Sequence, residues 1–240
     1  MPSRTRLSLP RSRPPSLLLP RRLRRRSPRP TRTRRRRPDR LSCEARVPFV
    51  GLTGGIAAGK STALAALERL GAATLSTDAV VHELYASDEV RDLVVARWGG
   101  EVAPGGVVDR AAVAAHAFAS PEERRWLEGV LWPRVGARVL AFREQTSVQE
   151  PPPPAAIVET PLLFEAGMEA VYEATIAIVA PEQLREERAG ARGHAAVAER
   201  TSRQLSQEEK AARATYVVVN DGSVEQFEAR LSEVLAKLSR

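Results

Sequence analysis

From about residue 47 onward, short apolar runs alternate with stretches whose apolar residues recur every three or four positions. Val47-Pro48-Phe49-Val50-Gly51-Leu52 reads as a buried strand, Ala72-Ala73-Thr74-Leu75 as a weaker one, and Ala155-Ala156-Ile157-Val158 as a third after the linker Pro151–Pro154. Ala174–Val179 and Tyr216–Val219 are stronger, being enriched in β-branched residues. Ser61–Leu70 carries Leu64, Leu67 and Leu70 at helical spacing, and Gly71 stops it. Ser120-Pro121-Glu122-Glu123 reads as a capping box with proline at the first helical position, opening a helix to about residue 144. Ser206–Glu209 and Ser223–Gln226 repeat that signature. The last helix gathers Phe227, Leu231, Val234, Leu235 and Leu238 on one face. Strands separated by helices predict an α/β fold: a doubly wound, five-stranded parallel sheet covered on both faces. Two stretches exceed that minimum. Residues 84–150 hold helices only, and residues 181–213 are crowded with Arg185, Arg188, Arg192, Arg200, Arg203 and Lys210.

Charge changes the picture only upstream. The 240 residues carry a formal net charge of +8, but residues 1–46 hold seventeen arginines against Asp39 and Glu44, so the rest of the chain is acidic. This arginine- and proline-rich segment has too little apolar content to bury and is expected to be a disordered tail. An electrostatic nucleic-acid arm, an organelle transit peptide, and translated sequence without a role from a start codon assigned too early all fit it, and the last is the expectation. No aromatic residue interleaves the arginines, so base stacking has no support there, and with the rest of the chain acidic nucleic acid is not expected as a partner, at the tail only if at all. Cys43 is the single cysteine, which excludes a disulfide framework and fits a reducing cytoplasm. Apolar runs are too short to span a membrane, and a soluble protein is expected.

The chemistry starts at the end of the first strand. Gly54-Gly55-Ile56-Ala57-Ala58-Gly59-Lys60-Ser61, followed by Thr62, matches the phosphate-loop pattern in full, with a strand before it and a helix after it. In such a loop the backbone N–H groups of residues 55–62 close around phosphate oxygens, the Lys60 ammonium reaches the outer phosphates, and the Ser61 hydroxyl takes Mg2+. The chain is therefore expected to bind a nucleoside triphosphate. In small phosphotransferases, insertions such as 84–150 and 181–213 hold the acceptor and close as a lid.

Asp78 follows the second strand, at the carboxyl edge where ligands of doubly wound sheets lie. It either takes a proton from an acceptor hydroxyl or caps the helix beginning at Ala79. Asp109 reads as a helix cap. Glu159 and Glu165 bracket Pro161–Phe164, and each is either a water-mediated magnesium contact or a solvated loop acid. The lid arginines would neutralise charge on a transferred phosphoryl group, with Arg188 the candidate among them. His82, His116 and His194 lack metal-ligand spacing.

From about residue 49 to 240 the chain resembles the dephospho-coenzyme A kinase family. The likeness runs through Gly51–Ile56 leading into the phosphate loop, Asp78, and Val108-Asp109-Arg110 with Phe118. It continues through Pro161-Leu162-Leu163-Phe164-Glu165, Arg200 with Gln204 and Lys210, and Asn220 with Gly222. The resemblance implies transfer of the ATP γ-phosphate to the ribose 3′-hydroxyl of dephospho-coenzyme A, the last step of coenzyme A biosynthesis. Asp78 would be the base or hydroxyl-orienting group, residues 84–150 the helical coenzyme A domain, and Asn220 and Gly222 neighbours of adenine. Ser76 stands where the family often has a second acid, Trp132 where histidine is usual, and Thr215 where aspartate is common. Another small-molecule P-loop kinase, acting on a nucleoside, nucleotide or sugar acid, shares all the phosphate chemistry and differs only in residues 84–150. A nucleotide-dependent nucleic-acid-binding protein is the alternative of a different class; the chain has no guanine-reading N-K-x-D motif.

Overall fold

The computed structural model describes residues 46–191 and 204–239. The expected tail, apart from Arg46, and the lid residues Arg192, Arg200 and Arg203 lie outside that range. Within it, β1 (Phe49–Gly54) is buried along its whole length and forms the middle of an all-parallel sheet. Beside it run β3 (Ala156–Glu159) and β4 (Ala174–Val179), and β2 (Ala73–Ser76) and β5 (Tyr216–Val219) form the edges, in the order β2-β3-β1-β4-β5. The first three strands begin one or two residues later than the hydrophobic pattern suggests; the last two match it.

Helices cover both faces, as parallel strands require. On one face pack α1 (Lys60–Arg69) and α8 (Val224–Leu238), whose Leu67, Phe227, Leu231, Val234 and Leu235 meet Leu52, Ile157, Ile176 and Ile178 of the sheet. After α1, Gly71 sits at φ 91°, and the N–H groups of Gly71 and Ala72 return to the carbonyls of Glu68 and Leu67. That paired closure needs the left-handed conformation glycine accepts. The opposite face holds Val158, Leu163, Phe164 and Tyr172 against Val139 of α5 (Pro121–Ser147), with Tyr172 stacked on Phe49 at 5.2 Å between ring centroids. A Cβ at Gly51 would lie 2.5 Å from Leu163 and 2.7 Å from Tyr172, so only glycine lets this layer close on β1.

The helices between β2 and β3 have a core of their own. α2 (Thr77–Tyr85), α3 (Asp88–Trp98), α4 (Arg110–Ala119) and the first half of α5 enclose Val90, Val94, Val113, Leu127 and Leu131. Asp109 caps α4, accepting from the N–H groups of Ala111 and Ala112. Ser120 caps α5, but the expected capping box there is only half formed. Glu123 turns away to accept from Arg97 and from the Trp98 indole N–H at 2.7 Å, tying α3 to α5. Complete boxes form at Ser206 before α7 (Gln207–Arg213) and at Ser223 before α8. Thr215, at the usual aspartate position, exchanges hydrogen bonds with Thr175: each backbone N–H donates to the other's hydroxyl at 3.0 Å. α6 (Glu182–Ala191) follows β4.

Candidate active site

β1 delivers its last residue, Gly54, so close to β4 that a Cβ there would lie 2.4 Å from the Ile178 carbonyl oxygen. The chain then turns through Ala57, at φ 59°, and Gly59, at φ 101°, before α1 begins at Lys60. No side chain caps α1. Its first N–H groups are left to face whatever the loop holds, and a helix amino terminus of this kind favours anions. Ser61 and Thr62 are exposed in the first turn, and Gly55 and Ala58 are buried under it. The Lys60 ammonium folds back over the loop and donates to the carbonyls of Gly54 and Gly55 at 3.3 and 3.1 Å.

Across the sheet, β2 and β3 end level with one another, and Ser76 is registered against Glu159. Ser76, not Asp78, caps α2: its hydroxyl accepts from the Ala79 N–H, and the helix starts at Thr77. Asp78 thus stands exposed in the first turn of α2 with no capping duty. The Thr77 hydroxyl locks the same junction from the other side, donating to the Glu159 carbonyl at 2.9 Å.

Glu159 is the residue that the sequence undervalued. It is 5% exposed, at the carboxyl end of the strand next to β1. Burial pushes its carboxyl pKa above the ordinary glutamate value and the nearby Asp78 charge adds to the rise, while a Ser76 hydrogen bond and the Lys60 charge oppose it. The four residues are therefore one electrostatic group at the mouth of the phosphate loop. A solvated loop acid is ruled out at this position. The signal for it was present: a charged residue closing an apolar strand immediately before Thr160-Pro161.

Glu165 is likewise not a solvated acid. Its Oε1 lies 2.9 Å from the Nζ of the fully buried Lys210 and accepts from the Leu205 N–H at 2.9 Å. Lys210 also donates to the Pro161 carbonyl at 2.7 Å, an oxygen shared with the Thr53 hydroxyl of β1. This pair braces the loop after β3 against α7.

Above the phosphate loop, Arg185 of α6 points its Nη1 to within 3.7 Å of where a Gly55 Cβ would sit, and Gln207 lies beside it. Gln207 holds the end of β4, accepting from the Ala180 N–H at 3.1 Å and donating to the Ala180 carbonyl at 3.0 Å. Arg185, Gln207, Gly55 and Ile56 line one cleft of about 690 Å3, and Arg188 is not among its walls. The Nε of Arg185 and the Nη1 of Arg188 are buried without a hydrogen-bond partner among the described residues. Asn220 and Gly222 follow β5: Asn220 is buried against the back of the phosphate loop, and Gly222 is exposed at the start of α8. A second cleft, of about 550 Å3, opens between α2, α4 and α5. Val81, Tyr85, Phe118 and Leu131 line it with Arg110 and the 58% exposed Trp132, and Arg110 reaches the Nδ1 of His82 at 3.0 Å.

The family profile described as dephospho-CoA kinase matches residues 48–226. The chain belongs to the dephospho-CoA kinase family. It is 40% identical over 195 residues to the dephospho-CoA kinase of Anaeromyxobacter dehalogenans, a match covering 79% of this chain and 91% of that one. To the dephospho-CoA kinase of Thermus thermophilus it is 36% identical over 200 residues, covering 82% and 95%. Among solved structures, a Thermus thermophilus crystal structure matches with a TM-score of 0.64 at 37% identity, over 80% of this chain and 98% of that one. The dephospho-CoA kinase from Campylobacter jejuni matches with a TM-score of 0.59 at 25% identity, over 80% and 96%. The dephospho-CoA kinase family thus accounts for the chain from the entry of β1 into α8, and the chain is a P-loop kinase. Among the described residues, no helix is long and apolar enough to cross a membrane.

Proposed function

We propose that this chain transfers the γ-phosphoryl group of ATP to the ribose 3′-hydroxyl of dephospho-coenzyme A, giving coenzyme A and ADP in the cytoplasm. The observation that carries the reading is the meeting of Asp78, Glu159 and Lys60 at the carboxyl edge of the sheet, where an uncapped helix terminus waits for phosphate. The ATP phosphates lie in the loop of residues 55–62, on its backbone N–H groups and Lys60. As the acceptor oxygen bonds to the γ-phosphorus, its proton passes to Asp78 and the bond to the β-phosphate oxygen breaks, releasing ADP. The Lys60 charge offsets the negative charge of the transferred group.

The donor set suits Mg2+, which keeps several waters and shares phosphate oxygens rather than filling a cage of side chains. No three His, Cys, Asp or Glu side chains form such a cage among the described residues. The exposed Ser61 hydroxyl would hold the ion, with the Glu159 carboxyl one shell further out; when bound it would draw off charge from the phosphate oxygens. Arg185 takes the phosphoryl-neutralising role from Arg188, because it stands over Gly55 and lines the cleft there, whereas Arg188 is not among that cleft's walls. Residues 181–213 act as the lid. The cleft between α2, α4 and α5 receives the rest of the acceptor, its apolar wall matching an aliphatic arm and Arg110 a phosphate. Asn220 and Gly222 lie on the adenine side.

The test is ADP release from ATP and magnesium with dephospho-coenzyme A, set against a panel of nucleosides, nucleotides and sugar acids. Turnover with dephospho-coenzyme A at least a hundredfold above every other acceptor is expected. Preferential turnover of a nucleoside or sugar acid would reassign the acceptor cleft.

A further inference from the structure

We propose that Asn220 is a positioning residue for the phosphate loop, one that aims a backbone N–H at the bound phosphates from behind; the proposal rests on the reading of residues 55–62 as the ATP phosphate site. The side-chain Nδ2 of Asn220 donates to the Ala58 carbonyl at 2.8 Å. Ala58 is completely buried and Asn220 is 6% exposed, so no water competes for that bond. A trans peptide unit sets its C=O and its N–H in opposite directions. Turning the Ala58 carbonyl toward Asn220 therefore turns the Gly59 N–H away from it. Gly59 permits this orientation because it lies at φ 101°, a left-handed conformation that glycine adopts without steric cost.

The contact is built from both sides. A Cβ at Gly59 would lie 2.2 Å from the Asn220 Nδ2, so the glycine that the phosphate-loop pattern demands is also the one that lets the amide come this close. Asn220 is itself held. Its backbone N–H donates to the Val179 carbonyl at 2.7 Å, extending the β4–β5 pairing. About two turns into α8, Arg230 donates to the Val219 carbonyl at 2.5 Å and to the Asp221 carboxylate at 2.6 Å, clamping the residues on either side. The shape of the loop is thus referred to β5 and α8, elements more than 150 residues away in sequence. An amide in this role serves any triphosphate, whatever its base.

Calorimetric titration of the whole protein with ATP, GTP and inorganic tripolyphosphate, each with magnesium, tests the assignment on Asn220→Ala and Asn220→Asp. The buried carbonyl loses its donor in both, and in the aspartate variant an acceptor faces an acceptor. Affinity for all three ligands is expected to fall by the same factor, roughly tenfold, with aspartate at least as harmful as alanine. The KM for ATP rises by that factor, a shift that a merely structural residue, lowering only the melting temperature, would not produce. A loss confined to ATP, with tripolyphosphate unaffected, would overturn the proposal and make Asn220 a base contact. So would an aspartate variant that binds as the parent does. If the alanine variant shows no cooperative melt, the isosteric aspartate variant decides the question. Failure of the parent to bind tripolyphosphate would strike at the loop reading itself.

Discussion

Lys210 and Glu165 form an ion pair with Nζ and Oε1 2.9 Å apart, and the lysine has no exposed surface at all. Removing one partner leaves a buried charge uncompensated, which costs about 3–5 kcal/mol. Lys210→Met is expected to lower the unfolding free energy by that amount in urea titrations. Lys210→Met with Glu165→Leu should recover most of it, since the pair then becomes an apolar contact of similar volume. A double variant no more stable than the single would show that the Pro161 and Leu205 bonds, rather than charge balance, govern this site.

Lys60→Ala should reduce phosphoryl transfer hundreds-fold while leaving the fold intact. A lost charge-assisted contact to the transferring group is worth about 3–4 kcal/mol, and Lys60 reaches backbone carbonyls at the rim of the loop rather than the hydrophobic core. Loss of the helical circular-dichroism signal in this variant would mean that the lysine is structural.

Asp78→Asn separates base from cap. Because Ser76 performs the capping, the amide should leave α2 and the melting temperature unchanged, keep ATP affinity within a few-fold, and lower turnover by 10²-fold or more, of the order a positioned base contributes. Turnover close to that of the parent would move the proton acceptor elsewhere, with Glu159 next in line.

Glu159 makes the stability depend on pH. Burial first, and the Asp78 charge with it, raise its folded pKa above the unfolded value. Between those two values the folded state binds more protons than the unfolded, so this group's contribution to stability is present at acid pH and declines as pH rises through the interval. Glu159→Gln removes the titration. Its melting temperature relative to the parent should therefore climb as pH goes from below the ordinary glutamate value to neutrality. A difference that stays flat across that range would show that the fold does not raise the pKa of this carboxyl.

Local pattern determined much of this protein from sequence alone. Strand positions to within two residues, the capped starts of α4, α5, α7 and α8, the buried face of α8, the phosphate loop and the family are all carried by contiguous residues, because period, caps and glycine conformations act over a few bonds. The sequence also placed Asp78 correctly beside the second strand. What it could not decide depended on partners far along the chain. Glu159 and Glu165 are six residues apart and look alike in sequence. One ends a strand registered against Ser76, and the other turns toward Lys210 of α7. Ser76 takes the cap that Asp78 was free to fill. Glu123 leaves its capping box for Arg97 and Trp98. Arg185 stands over the loop, and Asn220 reaches Ala58 across the sheet. Glu123 and Glu165 could each bond nearby or far along the chain, and only the packed tertiary structure, by fixing which atoms come within about 3 Å, settles such a choice.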